Sequence, residues 1–205
     1  MKSYQNIQNV LERKSFPLFL SALRNFVDTK EWSEVGGVFH VCRQILTDYN
    51  PEVVFDIGCG KRPTLALMMV LNYKRDVYAV DPQLDTTYCE GVRNIFLYNT
   101  ELKEFAKLEE SHRYSNALVL ANHSHVSTKH MSGFLSRFRK WVYVTVPCCV
   151  DNKLTGKVGI HIKDVHMHTD KNDVYTYASS PALLSGLFNT KGKDDGKKEE
   201  DNTNS

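Results

Sequence analysis

The sequence predicts an α/β protein in which a doubly wound, mostly parallel sheet ends in an antiparallel hairpin and is preceded by helices. Two observations carry that prediction. From Pro51 onward, short runs that are apolar on both faces alternate with helical segments. Strands of that kind are buried in parallel sheets, whose crossovers are helices. After Val150 the pattern changes to two extended segments around a polar turn, as in a hairpin.

Each element follows from local pattern. Phe16, Leu18, Phe19, Leu20, Leu23, Phe26 and Val27 recur at helical spacing, and a second apolar face runs through Val38, Phe39, Val41, Cys42, Ile45 and Leu46. Asn50-Pro51 stops this helical region, because a residue before proline is pushed out of the α region. The first strand is Val53-Val54-Phe55, and Thr64 to Leu71 is an apolar helix. Strands are expected at Val77–Val80, Asn94–Tyr98, Ala117–Ala121 and Trp141–Val146, with helices over Glu101–Glu110 and Lys129–Phe138. The hairpin pairs Val158–His168 with Val174–Ala178 around a turn at Asp170–Asp173.

Three regions emerge: an N-terminal helical cap over 1–50, the α/β domain over 51–188 and a tail over 189–205. The tail holds four lysines, five acidic residues and no apolar side chain. It cannot bury enough surface to offset its ordering entropy, so disorder is expected. Over the whole chain, 26 basic residues against 24 acidic ones leave a charge of +2, too near neutral to argue for a nucleic-acid partner by itself. Five cysteines without paired spacing argue against a disulfide framework and for a reducing compartment. With no long apolar run and a polar N-terminus, the expectation is a soluble, cytoplasmic protein with no membrane span.

The most informative stretch is Val53 to Lys61, VVFDIGCGK, where a strand ends in Asp56 and a loop with Gly58 and Gly60 leads into a helix. Glycines suit a turn with positive φ and the close approach of a ligand to the backbone. The next strand ends in Asp81, 25 residues after Asp56, where a carboxylate accepts hydrogen bonds from ribose hydroxyls. The third strand ends in Asn99. Ligands of open α/β sheets lie outside the carboxyl ends of the strands, so these ends together predict a site for an adenosine-containing ligand.

Here the sequence resembles the class I S-adenosylmethionine-dependent methyltransferases. DIGCG at 56–60 looks like their first motif, with Asp56, Gly58 and Gly60 at cofactor-contacting positions. Asp81 in VYAVDP matches their ribose-gripping acid, and Asn99 matches their adenine contact. The resemblance spans about residues 51–180 and implies a Rossmann-like, seven-stranded sheet, S-adenosylmethionine as cofactor and an enzyme that transfers methyl groups. The sequence departs from the DxGxGxG pattern at Arg62, which replaces the third glycine. A nicotinamide-binding fold fits less well, because Pro63 stands where its fingerprint wants a glycine.

In that family the end of the fourth strand faces the methyl group, which here is Asn122-His123-Ser124-His125. Asn122 is expected to touch cofactor or substrate, and His123 or His125 would serve as general base. The same residues read equally well as loop histidines without chemistry. Pro147-Cys148-Cys149 faintly echoes a group of RNA-modifying class I methyltransferases, although buried cysteines commonly act as small hydrophobes. The pairs His123/His125 and His166/His168 invite a metal hypothesis, but no cysteine cluster completes a site and no metal is expected.

Lys61 and Arg62, with Tyr88 and Trp32, are candidates for holding a phosphate or a stacked base. Arg137, Arg139 and Lys140 follow a helix whose C-terminus favours cations in any case. The methyl acceptor is expected to be an oxygen or nitrogen nucleophile of RNA or a nucleotide, with a small molecule and a protein as alternatives. The rival reading is a catalytically silent module that binds a protein partner through the N-terminal helices or the charged tail.

Overall fold

In a computed structural model of the chain, residues 29–147, 153–154, 156–157, 159–163 and 173–188 are described. The first helical face at 16–27, Cys148, Cys149, His166, His168 and the tail from 189 lie outside them.

Helix α1 (Thr29–Tyr49) ends where the sequence places its stop, with Asn50 at φ 50° before Pro51. Strand β1 (Val53–Ile57), helix α2 (Thr64–Asn72), β2 (Asp76–Val80) and β3 (Ile95–Tyr98) follow. Next come the single turn α3 (Leu102–Phe105), a 3-10 turn at Glu109–His112, β4 (Asn116–Asn122), α4 (Thr128–Leu135) and β5 (Lys140–Val146). The hairpin strands β6 (Gly159–Lys163) and β7 (Asp173–Ala178) and helix α5 (Pro181–Phe188) complete the described chain.

The strands form one seven-stranded sheet in the order β3-β2-β1-β4-β5-β7-β6. The first five are parallel, and β7 lies antiparallel between β5 and β6. Helices cover both faces. On one, α1, α2 and α5 bury Ile45, Met69 and Leu187 against Val54, Leu118 and Val144. On the other, α3 and α4 bury Phe105 and Phe134 against an aromatic cluster centred on Phe55, whose ring lies 5.2 Å from Phe134 and 5.3 Å from Tyr78.

Three elements depart from the sequence reading. The helix expected over 101–110 breaks after one turn. The Ala106 carbonyl accepts from the Arg137 guanidinium and from the Ser111 hydroxyl, and side chains thereby stand in for the next helical N–H. Arg137 is therefore committed to a structural contact. Helix α4 ends at Leu135 rather than Phe138 and starts from a Ser127 cap, whose hydroxyl accepts from the His130 N–H at 3.4 Å. Helix α5 was not expected, although Pro181 at its first position and the Ser180 hydroxyl accepting from Leu183 N–H at 3.2 Å are start signals.

Candidate functional site

The site is assembled where the parallel strands end. The ladder continues one residue past β1, β2 and β4: Gly58 N–H donates to Val80 O at 2.8 Å, Asp81 N–H to Tyr98 O at 3.2 Å and His123 N–H to Val146 O at 3.0 Å. These bonds set Gly58, Asp81 and His123 side by side on the carboxyl edge.

The loop after β1 shows what each glycine does. Gly58 has φ 70°, and a Cβ there would stand 2.2 Å from the Ser124 hydroxyl oxygen. That glycine thus admits Ser124 of the β4 loop, a partner within the chain. Gly60 has φ 73° and faces open space. Asp81 holds this loop in place: one carboxylate oxygen accepts from Gly60 N–H at 2.9 Å and the other from Gln83 N–H at 2.7 Å.

Asp56 lies beneath the loop, 1% exposed, and accepts from the Ala66 N–H at 3.0 Å, capping the first turn of α2. Burial pushes its carboxyl up to about 7; the Ala66 bond pulls it down and the nearby Asp81 charge adds to the rise. Burial also raises the Cys59 thiol well above its ordinary value, so this cysteine in the loop is a neutral thiol, not a nucleophile.

Two cavities open on this edge and share Gly58, Gly60 and His123. The larger, about 520 Å³, is lined by Asp81, Gln83, Leu102, Lys103, His125 and His130 among others. The smaller, about 300 Å³, is lined by Glu34, Asp56, Arg62, Thr64 and Asn122 among others. Both volumes fall in the range of small-molecule sites.

A seven-stranded sheet with an antiparallel end and the glycine loop after β1 is the arrangement the resemblance implies. The chain has the class I methyltransferase fold. No family profile and no curated protein matches the sequence. Among solved structures, similar ones include MtNAS in complex with MTA and tNA (12% identity, TM-score 0.48, covering 86% of this chain and 68% of that one). The methyltransferase domain of METTL16 is 13% identical with a TM-score of 0.48, covering 76% and 70%. TrmK of M. capricolum in complex with S-adenosylhomocysteine is 15% identical with a TM-score of 0.42, covering 68% and 66%.

Of the residues expected at the methyltransferase site, Asp56, Gly58, Gly60, Asp81, Asn122, His123 and His125 all line one or both cavities. Asn99, at the same edge after β3, lines neither cavity: it is exposed and its amide donates to Leu84 O at 2.6 Å. Tyr88, expected to stack on a base, instead packs against Leu67 and Cys89 on the face of α2. Among the described residues no group of three or more histidines, cysteines and acids is placed to hold a metal ion, and no helix is long and apolar enough to cross a membrane.

Glu34 escaped the sequence reading. It projects from α1, is 7% exposed, and sets its carboxylate 3.1 Å from His123 Nε2. The approach has the distance of an ion pair without the geometry of a hydrogen bond. His123 itself has φ 53°, a left-handed backbone that a non-glycine residue adopts at a cost. No local motif marks either feature, because a glutamate on an amphipathic helix reads as a solvated residue.

Proposed function

We propose that this cleft binds S-adenosylmethionine and that the protein transfers its methyl group to an oxygen or nitrogen nucleophile, with RNA or a nucleotide as the acceptor. The observation that carries the reading is the pair of cavities on the carboxyl edge that share Gly58, Gly60 and His123, with Asp81 lining one and Asn122 the other. Such an edge is where open α/β sheets bind nucleotide-like ligands.

The residues present fit this cofactor. Each Asp81 oxygen already accepts one backbone N–H and retains a lone pair, so the carboxylate can take ribose hydroxyls while it holds the loop. Gly60 leaves open space for the ligand's approach. Arg62 and Glu34 provide both signs of charge for a zwitterionic amino-acid end. When bound, S-adenosylmethionine supplies an electrophilic methyl group on a sulfonium. The chain's share is to position the nucleophile, exclude water and take up a proton. His123 and His125 line the cleft for the last task, and Lys61 and Lys103, exposed beside it, favour a phosphate-bearing acceptor.

Arg62 in the cavity wall, in place of a glycine, favours a second reading in which the fold binds a ligand or a protein partner without turnover. Thermal unfolding separates the readings at the first step. A ligand at about 100 times its Kd adds about 2.7 kcal/mol, a rise of several degrees at roughly 2–4 °C per kcal/mol. Excess S-adenosylmethionine or S-adenosylhomocysteine should produce that rise, NAD should not, and Asp81→Ala should abolish it. Equal response of wild type and Asp81→Ala would sink the placement of the cofactor. Binding without methyl transfer to any RNA, nucleotide or protein fraction would favour the silent module.

A further inference from the structure

The hairpin that closes the sheet has an outer face on which none of the cleft residues stands. Among the described residues β6 is the last strand of the sheet, and Gly159, His161 and Lys163 alternate on its exposed side. His161 pairs across the ladder with Tyr175 of β7, and the two rings stack in parallel, 4.7 Å apart at 11°. The imidazole Nε2 lies 2.6 Å from Asp173 Oδ1, which fixes the ring's orientation, yet the side chain is 49% exposed. Tyr175 is partly buried against the aromatic core, with the Lys153 ammonium 4.5 Å from its ring centre. A cross-strand ring pair stabilises a hairpin in its own right. That role explains why the rings touch and leaves the outward face of the imidazole, at the sheet's edge, open to a planar group. Charge selects the occupant: the described part of the hairpin and the segment leading into it hold Lys153, Lys157 and Lys163 against one acid, Asp173, which His161 engages.

We infer that this edge binds single-stranded nucleic acid, with a base stacked on His161 and its phosphates facing Lys153 and Lys163, so that the methyl acceptor is a strand rather than a free nucleotide. The inference rests on the RNA-or-nucleotide reading above and narrows it. An oriented ring beside lysines suits a single strand, which offers a π-face and a phosphate at every nucleotide. A duplex keeps those faces inside its own stack. Register sets the distance to the cleft. His161 is level with Tyr175, Tyr175 with Thr145, and Thr145 with Ala121, one residue before Asn122. Three strand steps separate β4 from β6. At about 4.8 Å each, they put His161 roughly 14 Å from Asn122 along the sheet. At ~3.4 Å per stacked nucleotide, that gap takes about four nucleotides, beyond the reach of a mononucleotide. Lys163 lies two residues beyond His161 toward the carboxyl edge, on the side from which the strand would enter the cleft.

Fluorescence anisotropy tests this without cofactor or turnover. The probes are labelled single strands of about eight nucleotides, as RNA and as DNA of one sequence, a dinucleotide, and the duplex of the same length. Wild type should bind the single strands well above the dinucleotide and the duplex, and the RNA–DNA comparison identifies the sugar. His161→Ala should weaken single-strand binding about tenfold, and His161→Phe, which keeps a π-face, should restore it. Lys163→Gln should lower the slope of log affinity against log salt by about 0.7, a readout that stands even where His161→Ala disturbs the hairpin. Equal binding by wild type and His161→Ala overturns the inference, as does a loss in His161→Phe as large as in His161→Ala. Duplex binding as tight as single-strand binding overturns it too, and so does a wild type that binds no oligonucleotide. Thermal shifts with S-adenosylmethionine keep the two readings apart. A shift that persists without strand binding leaves the cofactor reading standing, whereas strand binding that depends on His161 without a shift sinks the cofactor reading alone.

Discussion

Gly58 and Gly60 sit two residues apart with almost the same φ, yet different forces require them. Alanine at 60 meets open space and should cost only the left-handed penalty, ~1–2 kcal/mol. Alanine at 58 carries the same penalty and collides with Ser124, so the loss should reach roughly 3 kcal/mol or more. Chemical denaturation of the two variants checks this, and equal losses would mean that the β4 loop yields freely. The Ser124 contact also explains why ligand approach alone is an incomplete account of the first glycine. His123 belongs to the same contact region, and its left-handed backbone turns the β4 loop so that Ser124 is buried beneath Gly58.

At the scale of elements, helix α1 is part of the core as well as a wall of the site. Val38, Cys42 and Ile45 are almost wholly buried in the cluster that α2, α5 and the sheet share. Ile45→Ala should therefore destabilise the whole protein by ~2–5 kcal/mol in a single unfolding transition. A loss under ~1 kcal/mol, or a separate early transition, would show α1 to be a detachable cap. The same helix delivers Glu34 to His123, which couples the packing of α1 to the geometry of the cleft. Connections matter as much as helices here. Between β2 and β3 the described chain makes turns instead of a helix, and Leu84 and Cys89 supply the burial that a crossover helix would otherwise provide.

For the molecule as a whole, the buried Asp56 links stability to pH. Folding raises its carboxyl from an ordinary 3.8 to about 7. Between those values the native state holds a proton that the unfolded chain has released. Stability therefore falls as pH rises through this window and levels off above it. Asp56→Asn keeps an acceptor for the Ala66 N–H and removes the titration. The Tm difference between variant and wild type should widen from about pH 4 to about pH 7, corresponding to as much as a few kcal/mol. A difference that stays constant with pH would mean that Asp56 is ionised in the fold throughout.

The sequence by itself determined the order of the strands along the chain, the closing hairpin and the glycine loop with Asp56 and Asp81, because burial periodicity and turn chemistry are local properties. It also marked Asn122, His123 and His125 by their place after the fourth strand. Only the tertiary structure decided what those residues meet. The break of the 101–110 helix depends on Arg137, some thirty residues away, reaching the Ala106 carbonyl. Asp81 spends its first two hydrogen bonds on Gly60 and Gln83, contacts that sheet pairing creates. Glu34 enters the site because α1 packs against β4 and β5, and no spacing within α1 records that partner. Periodicity says which side of an element is buried; which side chains then converge is set by contacts between segments distant in sequence.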